Sequence, residues 1–194
     1  MSFHAFIKKV WQFLWYEDSL LSWFVNLILA FVLVKFIVYP SIGLLLSTAY
    51  PIVAVVSGSM EHNGQSFDTW WSATDWYTQH NITEEQFSDF PFKNGFNKGD
   101  IMVLRGVEPK AIKVGDVVVY ESSRHVNPII HRVVSITQKD NTYSFATKGD
   151  NNPTADRDIV TEAQIKRTGK AVLRLPYLGW IKIGFVEFLG GVFS

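Results

Sequence analysis

Cysteine is absent from this chain of 194 residues. That excludes thiol nucleophiles, thiolate metal ligands and disulfides, and it suits an extracytoplasmic location without requiring one. An excess of either charge is also missing, since 18 Lys and Arg balance 18 Asp and Glu. A nucleic-acid partner normally demands a basic surplus, so none is expected. The sequence calls for no metal and no cofactor. What the chain has in quantity is apolar surface: 47% of its residues are hydrophobic and 15% are aromatic. Its length fits one domain, or one domain and an anchor.

The apolar residues are not spread evenly. Leu20 to Tyr39 reads LLSWFVNLILAFVLVKFIVY, with Lys35 as its only charge. Twenty residues at a helical rise cover roughly 30 Å, the hydrocarbon thickness of a bilayer. Trp23 and Tyr39 lie near the ends of this run, where amphipathic rings favour the interface, and Lys35 is near enough to the far end to snorkel. Before it, Phe3, Phe6, Ile7, Val10, Trp11 and Leu14 recur at helical spacing opposite Lys8, Lys9 and Gln12, the pattern of a helix lying in a membrane surface. Residues 41–56 are apolar again, but Pro40, Gly43 and Pro51 are expected to break them. The reading is therefore one crossing with a cytoplasmic N-terminus, followed by a segment leading out along the outer surface. Some forty residues precede any small-residue cleavage site, too many for a cleavable leader, so the segment reads as a retained anchor.

Beyond Asn97 the texture changes. NKGDIMVLRG (97–106) and KVGDVVVYES (113–122) each set a Gly-Asp turn before a short β-branched run, and IIHRVVSI and TYSFATK follow. Short strands between turn signals predict a compact all-β domain, with GDVVVYES and PIIHRVVSIT paired. Residues 63–96 read as a Trp-rich, partly helical insertion, either a cover packed over one face of the sheet or a membrane-dipping or substrate-guiding lid. Within it, Thr83 and Gln86 have capping-box spacing, and Asn81-Ile82-Thr83 is a glycosylation sequon.

The loop SGSMEHN, from Ser57, puts two hydroxyls just past the apolar block. A serine becomes a nucleophile only beside a base, and the base needs a partner that fixes it and stabilises its protonated form. Of the five histidines, His4 precedes the anchor, His62 is nearly adjacent to Ser59, and His80 and His125 sit in the insertion and in a polar loop. His131, inside PIIHRVV, would be held rigidly by a strand. KGDNNPTADRD supplies Asp150, Asp156 and Asp158 as candidate partners.

SGSME, then HRVV, then KGDNN with another Asp six residues after the first, in that order behind an apolar anchor, resembles type I signal peptidase of the archaeal and endoplasmic-reticulum branch. The resemblance covers most of the chain and is weakest in the Trp-rich insertion. It implies a membrane-bound serine endopeptidase that removes signal peptides after a small-x-small site, with Ser59 as nucleophile and His131 as general base. The bacterial branch carries lysine at the position of His131. Asp156 matches the family's orienting acid and Asp150 a second acid required nearby, their division of labour being open. Ser57 matches the hydroxyl that helps to stabilise the oxyanion. His62 departs from the family, which usually has proline there.

The implied layout is an interfacial segment 1–18, a membrane anchor 19–50, a β catalytic domain 51–176 containing the insertion 63–96, and an apolar interfacial tail 177–194. The implied partners are signal peptides, the lipid bilayer and other subunits of a processing complex. The implied location is a single pass through the cell membrane, or the reticulum membrane in a eukaryote, with the catalytic domain outside the cytoplasm. The competing reading is an anchored β-domain that binds exported proteins without cutting them.

Overall fold

The computed structural model describes residues 2–122, 124–125, 127–181 and 183–184. The expected interfacial tail therefore lies largely outside the described residues. The chain divides into two compact units, Met1–Leu45 and Leu46–Ser194.

The first unit is helical. Helix α1 (Phe3–Tyr16) buries none of its side chains. After it, Ser19 caps the next helix by accepting from the Ser22 N–H. The helical stretch Leu20–Leu45 is long and apolar enough to cross a membrane, and most of its large apolar side chains are exposed. Its two polar side chains near the start turn inwards: Ser22 Oγ donates to the Phe13 carbonyl at 2.6 Å and Asn26 Nδ2 to that of Leu14 at 2.8 Å. Pro40 does not end this helix. A π-helical turn, Val34–Val38, precedes it, and the Tyr39 N–H reaches back five residues to the Val34 carbonyl. The widened turn accommodates the missing N–H and the ring of Pro40, so the break expected from sequence is absorbed as a local bulge.

The second unit is built on one antiparallel sheet of seven strands among the described residues: β1 (Ile52–Ala54), β2 (Ile101–Arg105), β3 (Val117–Tyr120), β4 (Ile129–Lys139), β5 (Thr142–Lys148), β6 (Val160–Thr161) and β7 (Lys170–Leu175). Their spatial order is β1-β2-β7-β3-β4-β5-β6. The GDVVVY and PIIHRVV segments pair as expected, with Val118 opposite His131. The two Gly-Asp turns share one construction. Asp100 Oδ2 accepts from the Asn97 N–H and Asp116 Oδ2 from the Lys113 N–H, each across a glycine of positive φ.

Strand β7 lies between β2 and β3 although Lys170 and Arg174 interrupt its apolar pattern. Both charges are matched by those turn aspartates: Lys170 Nζ stands 3.0 Å from Asp116 and Arg174 Nε 2.7 Å from Asp100. Cross-strand alternation then builds two cores. On one face Val55, Met60, Phe96, Met102, Leu104, Val117 and Val119 pack together. On the other, Val118, Tyr120, Val133 and Phe145 pack against Ile165 of a helix, α2 of this unit's own (Glu162–Thr168).

Residues 63–96 form short helical turns whose Trp70, Trp71, Tyr77, Ile82 and Phe87 make a third buried cluster, packed on Val134 of β4. The Thr83–Gln86 capping box is present. With its two adjacent tryptophans buried, this segment is a cover fastened to the sheet, and burial of each large apolar side chain stabilises it by about 1.5–3 kcal/mol.

Candidate active site

Alternation along β4 sends His131 and Arg132 to opposite faces, and along β5 it does the same for Thr147 and Lys148. Arg132 is opposite Lys148 in the ladder and Val133 opposite Thr147. Two polar clusters result, back to back on the same pair of strands.

The first contains the serine loop. Val55 and Met60 are buried in the core on either side of Ser57-Gly58-Ser59, so the turn between them is pinned at both ends. Its backbone is clamped from the side: the Asn151 N–H donates to the Ser59 carbonyl at 2.8 Å, and Asn151 Nδ2 to the Gly58 carbonyl at 3.0 Å. Gly149 makes this approach feasible. A β-carbon there would lie 2.7 Å from the Ser59 carbonyl oxygen and 2.9 Å from His131 Nε2, closer than side-chain carbons come.

In this frame Ser59 Oγ lies 3.0 Å from His131 Nε2, and His131 Nδ1 lies 2.6 Å from Asp156 Oδ2. Ser57 Oγ lies 3.2 Å from Ser59 Oγ. A hydroxyl, an imidazole and a carboxylate in this sequence can move a proton off the hydroxyl as it attacks, with the positive imidazole held against the acid. The site opens into a groove of about 400 Å³, walled by Ala54, Val56, Ile129 and Ile130 beside Ser59 and His131. Burial alone would raise the Asp156 carboxyl, but hydrogen bonds from His131, Thr147 and Tyr120 hold it below the usual range.

Asp150 is in the other cluster. It is fully buried, and Arg132 grips both its oxygens, Nε to Oδ1 at 2.9 Å and Nη2 to Oδ2 at 2.7 Å. Tyr77 donates to Oδ1 at 2.7 Å, and His62 Nε2 lies 3.2 Å from Oδ2. The remaining Arg132 donors go to the carbonyls of Pro91, Gly115 and Phe92, and Phe87 lies 4.7 Å from the guanidinium carbon. Burial would push the Asp150 carboxyl up, yet Arg132 and these donors hold it well below its ordinary value. No hydrogen bond joins Asp150 to His131. Its backbone instead adjoins the clamp on Ser59, since its N–H points at Met60 Sδ at 3.3 Å.

Lys148, the amine nearest in sequence, is buried, and burial pushes it down to about 8. Its Nζ donates to the Gly149 and Asp150 carbonyls and lies over the Trp76 and Tyr77 rings. It makes no hydrogen bond to Ser59 among the described residues. Asp158 pairs with exposed Arg124 at 3.1 Å, and His80 stacks on Trp76. His125 lines the groove without touching the serine.

Sequence reasoning passed over Arg132, Tyr77, Tyr120 and Thr147, and it left His62 as a mere departure. Alternation about His131 was the available signal for Arg132. His62 is buried and stacks on Trp70 of the cover at 3.6 Å, so it ties the serine loop to the insertion.

Both acids make the fold acid-sensitive. Their carboxyls are depressed in the folded chain, so the stability they add is fully present above the unfolded value of about 4 and is lost as pH falls through the lower folded values. Melting followed by tryptophan fluorescence is expected to show a constant midpoint from about pH 6 to pH 5 and a steep fall below about pH 4.

No family model matches the sequence. Among curated proteins, the signal peptidase complex catalytic subunit SEC11C of Homo sapiens is 36% identical over 94 residues, 45% of this chain and 49% of its own length. The corresponding subunit SEC11 of Plasmodium falciparum is 37% identical over 100 residues, 48% of this chain and 53% of its own. That of Scheffersomyces stipitis is 29% identical over 158 residues, 78% of this chain and 75% of its own. The chain thus spans about half the length of the first two and three quarters of the third. Over these lengths the chain is similar to signal peptidase complex catalytic subunits.

Proposed function

We propose that this chain is a membrane-anchored serine endopeptidase that removes signal peptides, with Ser59 as nucleophile, His131 as general base and Asp156 as its orienting acid. The single observation that carries the reading is the unbroken chain of contacts from Ser59 Oγ through His131 to Asp156, at 3.0 and 2.6 Å. Ser59 Oγ attacks the scissile carbonyl carbon while His131 Nε2 takes its proton. The oxyanion that forms is received by the Ser59 N–H and the Ser57 hydroxyl. His131 then gives the proton to the departing amine, and a water activated by the same imidazole releases the acyl group from Ser59. Asp150 touches none of the reacting atoms. It is a positioning residue that locks β4 and the loop after β5 to the cover.

The location reading places Leu20–Leu45 across the membrane once, with the β unit outside the cytoplasm. Supporting it, Ile52, Val103 and Leu173 form a cross-strand row, of which Ile52 and Leu173 are exposed, and exposed Tyr177, Leu178 and Trp180 follow. Such a row suits a membrane surface. A signal peptide held in the same bilayer would then meet the groove at a raised effective concentration. The relatives are named as subunits of a complex, so further subunits are proposed here too.

The test is cleavage of a preprotein by the purified chain in lipid vesicles, with the product's N-terminus sequenced. Cutting after a small-x-small site is expected. Retention of uncut preprotein by a folded protein would favour the anchored binder.

A further inference from the structure

Asp156 is held by more than the imidazole. Three donors converge on one of its oxygens: His131 Nδ1 at 2.6 Å, Thr147 Oγ1 at 2.6 Å and Tyr120 OH at 2.9 Å, all on Oδ2. Tyr120 and Thr147 also lie 3.1 Å apart, hydroxyl to hydroxyl. Neither side chain reaches the groove, and both are buried, Tyr120 at 1% and Thr147 at 0% exposure.

Three strands supply this arrangement. Val118 and Tyr120 alternate on β3 to the face where Val118 meets His131, and Thr147 stands opposite Val133 on that same face. Asp156 comes from the loop after β5, and Thr147 fastens it twice. Its carbonyl accepts the Asp156 N–H at 2.8 Å, and its hydroxyl donates to the Asp156 side chain. Thr147 thus fixes both the backbone and the rotamer of an acid that no regular element carries. Burial and the neighbouring carboxylate keep the Tyr120 phenol protonated, so towards Asp156 it acts as a donor.

A carboxylate oxygen has two lone pairs, so three donors share what suits two. Thr147 and Tyr120 therefore do two things. They aim Oδ2 at His131 Nδ1, and they draw off part of the negative charge that would otherwise hold a proton on the imidazole. Among the described residues, Lys148 on the opposite face of β5 acts on Asp156, Asp158 further along the loop acts on Tyr120, and His125 lines the same groove as His131.

We infer that Tyr120 and Thr147 are positioning residues of the catalytic acid, setting both the aim of Asp156 and the pH at which the Ser59–His131 pair works. The inference rests on the function proposed above. Removing either hydroxyl weakens the aim, which lowers kcat. It also leaves more charge on Oδ2, which stabilises the protonated imidazole and moves the acid limb of the rate profile to higher pH. Since neither residue meets substrate, KM stays put.

The experiment compares wild type, Thr147→Val, Thr147→Ser and Tyr120→Phe in full-length protein in lipid, using a preprotein substrate across pH 5 to about pH 9. Thr147→Val is expected to lose about 10- to 100-fold in kcat, the range for a hydrogen bond to a charged group, with KM changed less than about twofold. Thr147→Ser, which keeps the hydroxyl, recovers most of the rate. Both Thr147→Val and Tyr120→Phe shift the acid limb upwards. Equal losses in the Val and Ser variants with an unmoved limb would reduce the pair to packing and overturn the inference. Wild-type rates from folded Thr147→Val would overturn it as well. No cleavage by wild type would instead sink the function it rests on. Low-field proton NMR gives a readout independent of turnover: the resonance of the His131 Nδ1–H is expected to move in Thr147→Val and to return in Thr147→Ser.

Discussion

His131→Ala is expected to cut the rate of preprotein cleavage by about a millionfold, leaving only what binding and oxyanion stabilisation provide over water. The size follows from the contacts. Among the described residues Ser59 Oγ has one base within hydrogen-bonding distance, at 3.0 Å, and without it the hydroxyl must lose its proton to water during attack. Ser59→Ala is expected to fall as far, and the double variant no further, because the two side chains perform one step. Asp156→Asn keeps the shape but presents an amide to His131 Nδ1, which favours the wrong tautomer and is expected to cost about 10⁴-fold. Substrate retention and the melting midpoint should stay close to wild type for Ser59→Ala, since Ser59 is a half-buried turn residue whose backbone is pinned by its neighbours. A folded His131→Ala protein cleaving at even a hundredth of the normal rate would mean that another group takes the proton.

The second large effect is on stability. Arg132→Met is expected to destabilise the protein by roughly 3–5 kcal/mol, because it strips a buried carboxylate of its counter-ion. Asp150 has 0% side-chain exposure and cannot turn to solvent. The carbonyls of Pro91, Phe92 and Gly115 lose their donors in the same step, which unfastens the cover from β4. Combining it with Asp150→Asn should restore part of the loss, since an amide costs less to bury than an unpaired charge. Denaturant midpoints read by tryptophan fluorescence measure both, because Trp70 and Trp71 are buried in the cover. A single Arg132→Met variant as stable as wild type would show that the ion pair contributes little.

The sequence made the local elements legible where turn chemistry and alternation agree. Both Gly-Asp turns, the pairing of β3 with β4, and the Thr83 capping box could be read residue by residue. Strand β7 could not, because Lys170 and Arg174 look like surface residues until the aspartates that neutralise them are brought across the sheet. Pro40 pointed to a break because the π-turn that absorbs it has no mark of its own in the sequence. At the candidate site, the motifs single out Ser59, His131, Asp150 and Asp156, of which the structure joins Ser59, His131 and Asp156 in one chain of contacts. Which acid meets the imidazole could not be read from the motifs, since Asp150 and Asp156 share one loop and only the strand register sends them to opposite faces. Tyr120 and Thr147 were hidden for a similar reason. Each is an ordinary strand residue until β3, β4 and β5 are laid side by side.

The most direct test is the ratio of two cleavage rates, Lys148→Met to His131→Ala, in the same vesicles with the same preprotein. Lys148 spends its ammonium on two backbone carbonyls and lies over two rings of the cover, where a thioether fits. The account predicts Lys148→Met within about tenfold of wild type and His131→Ala at background, a ratio of at least about 10⁴. A ratio below one, with the amine needed and the imidazole dispensable, would contradict it.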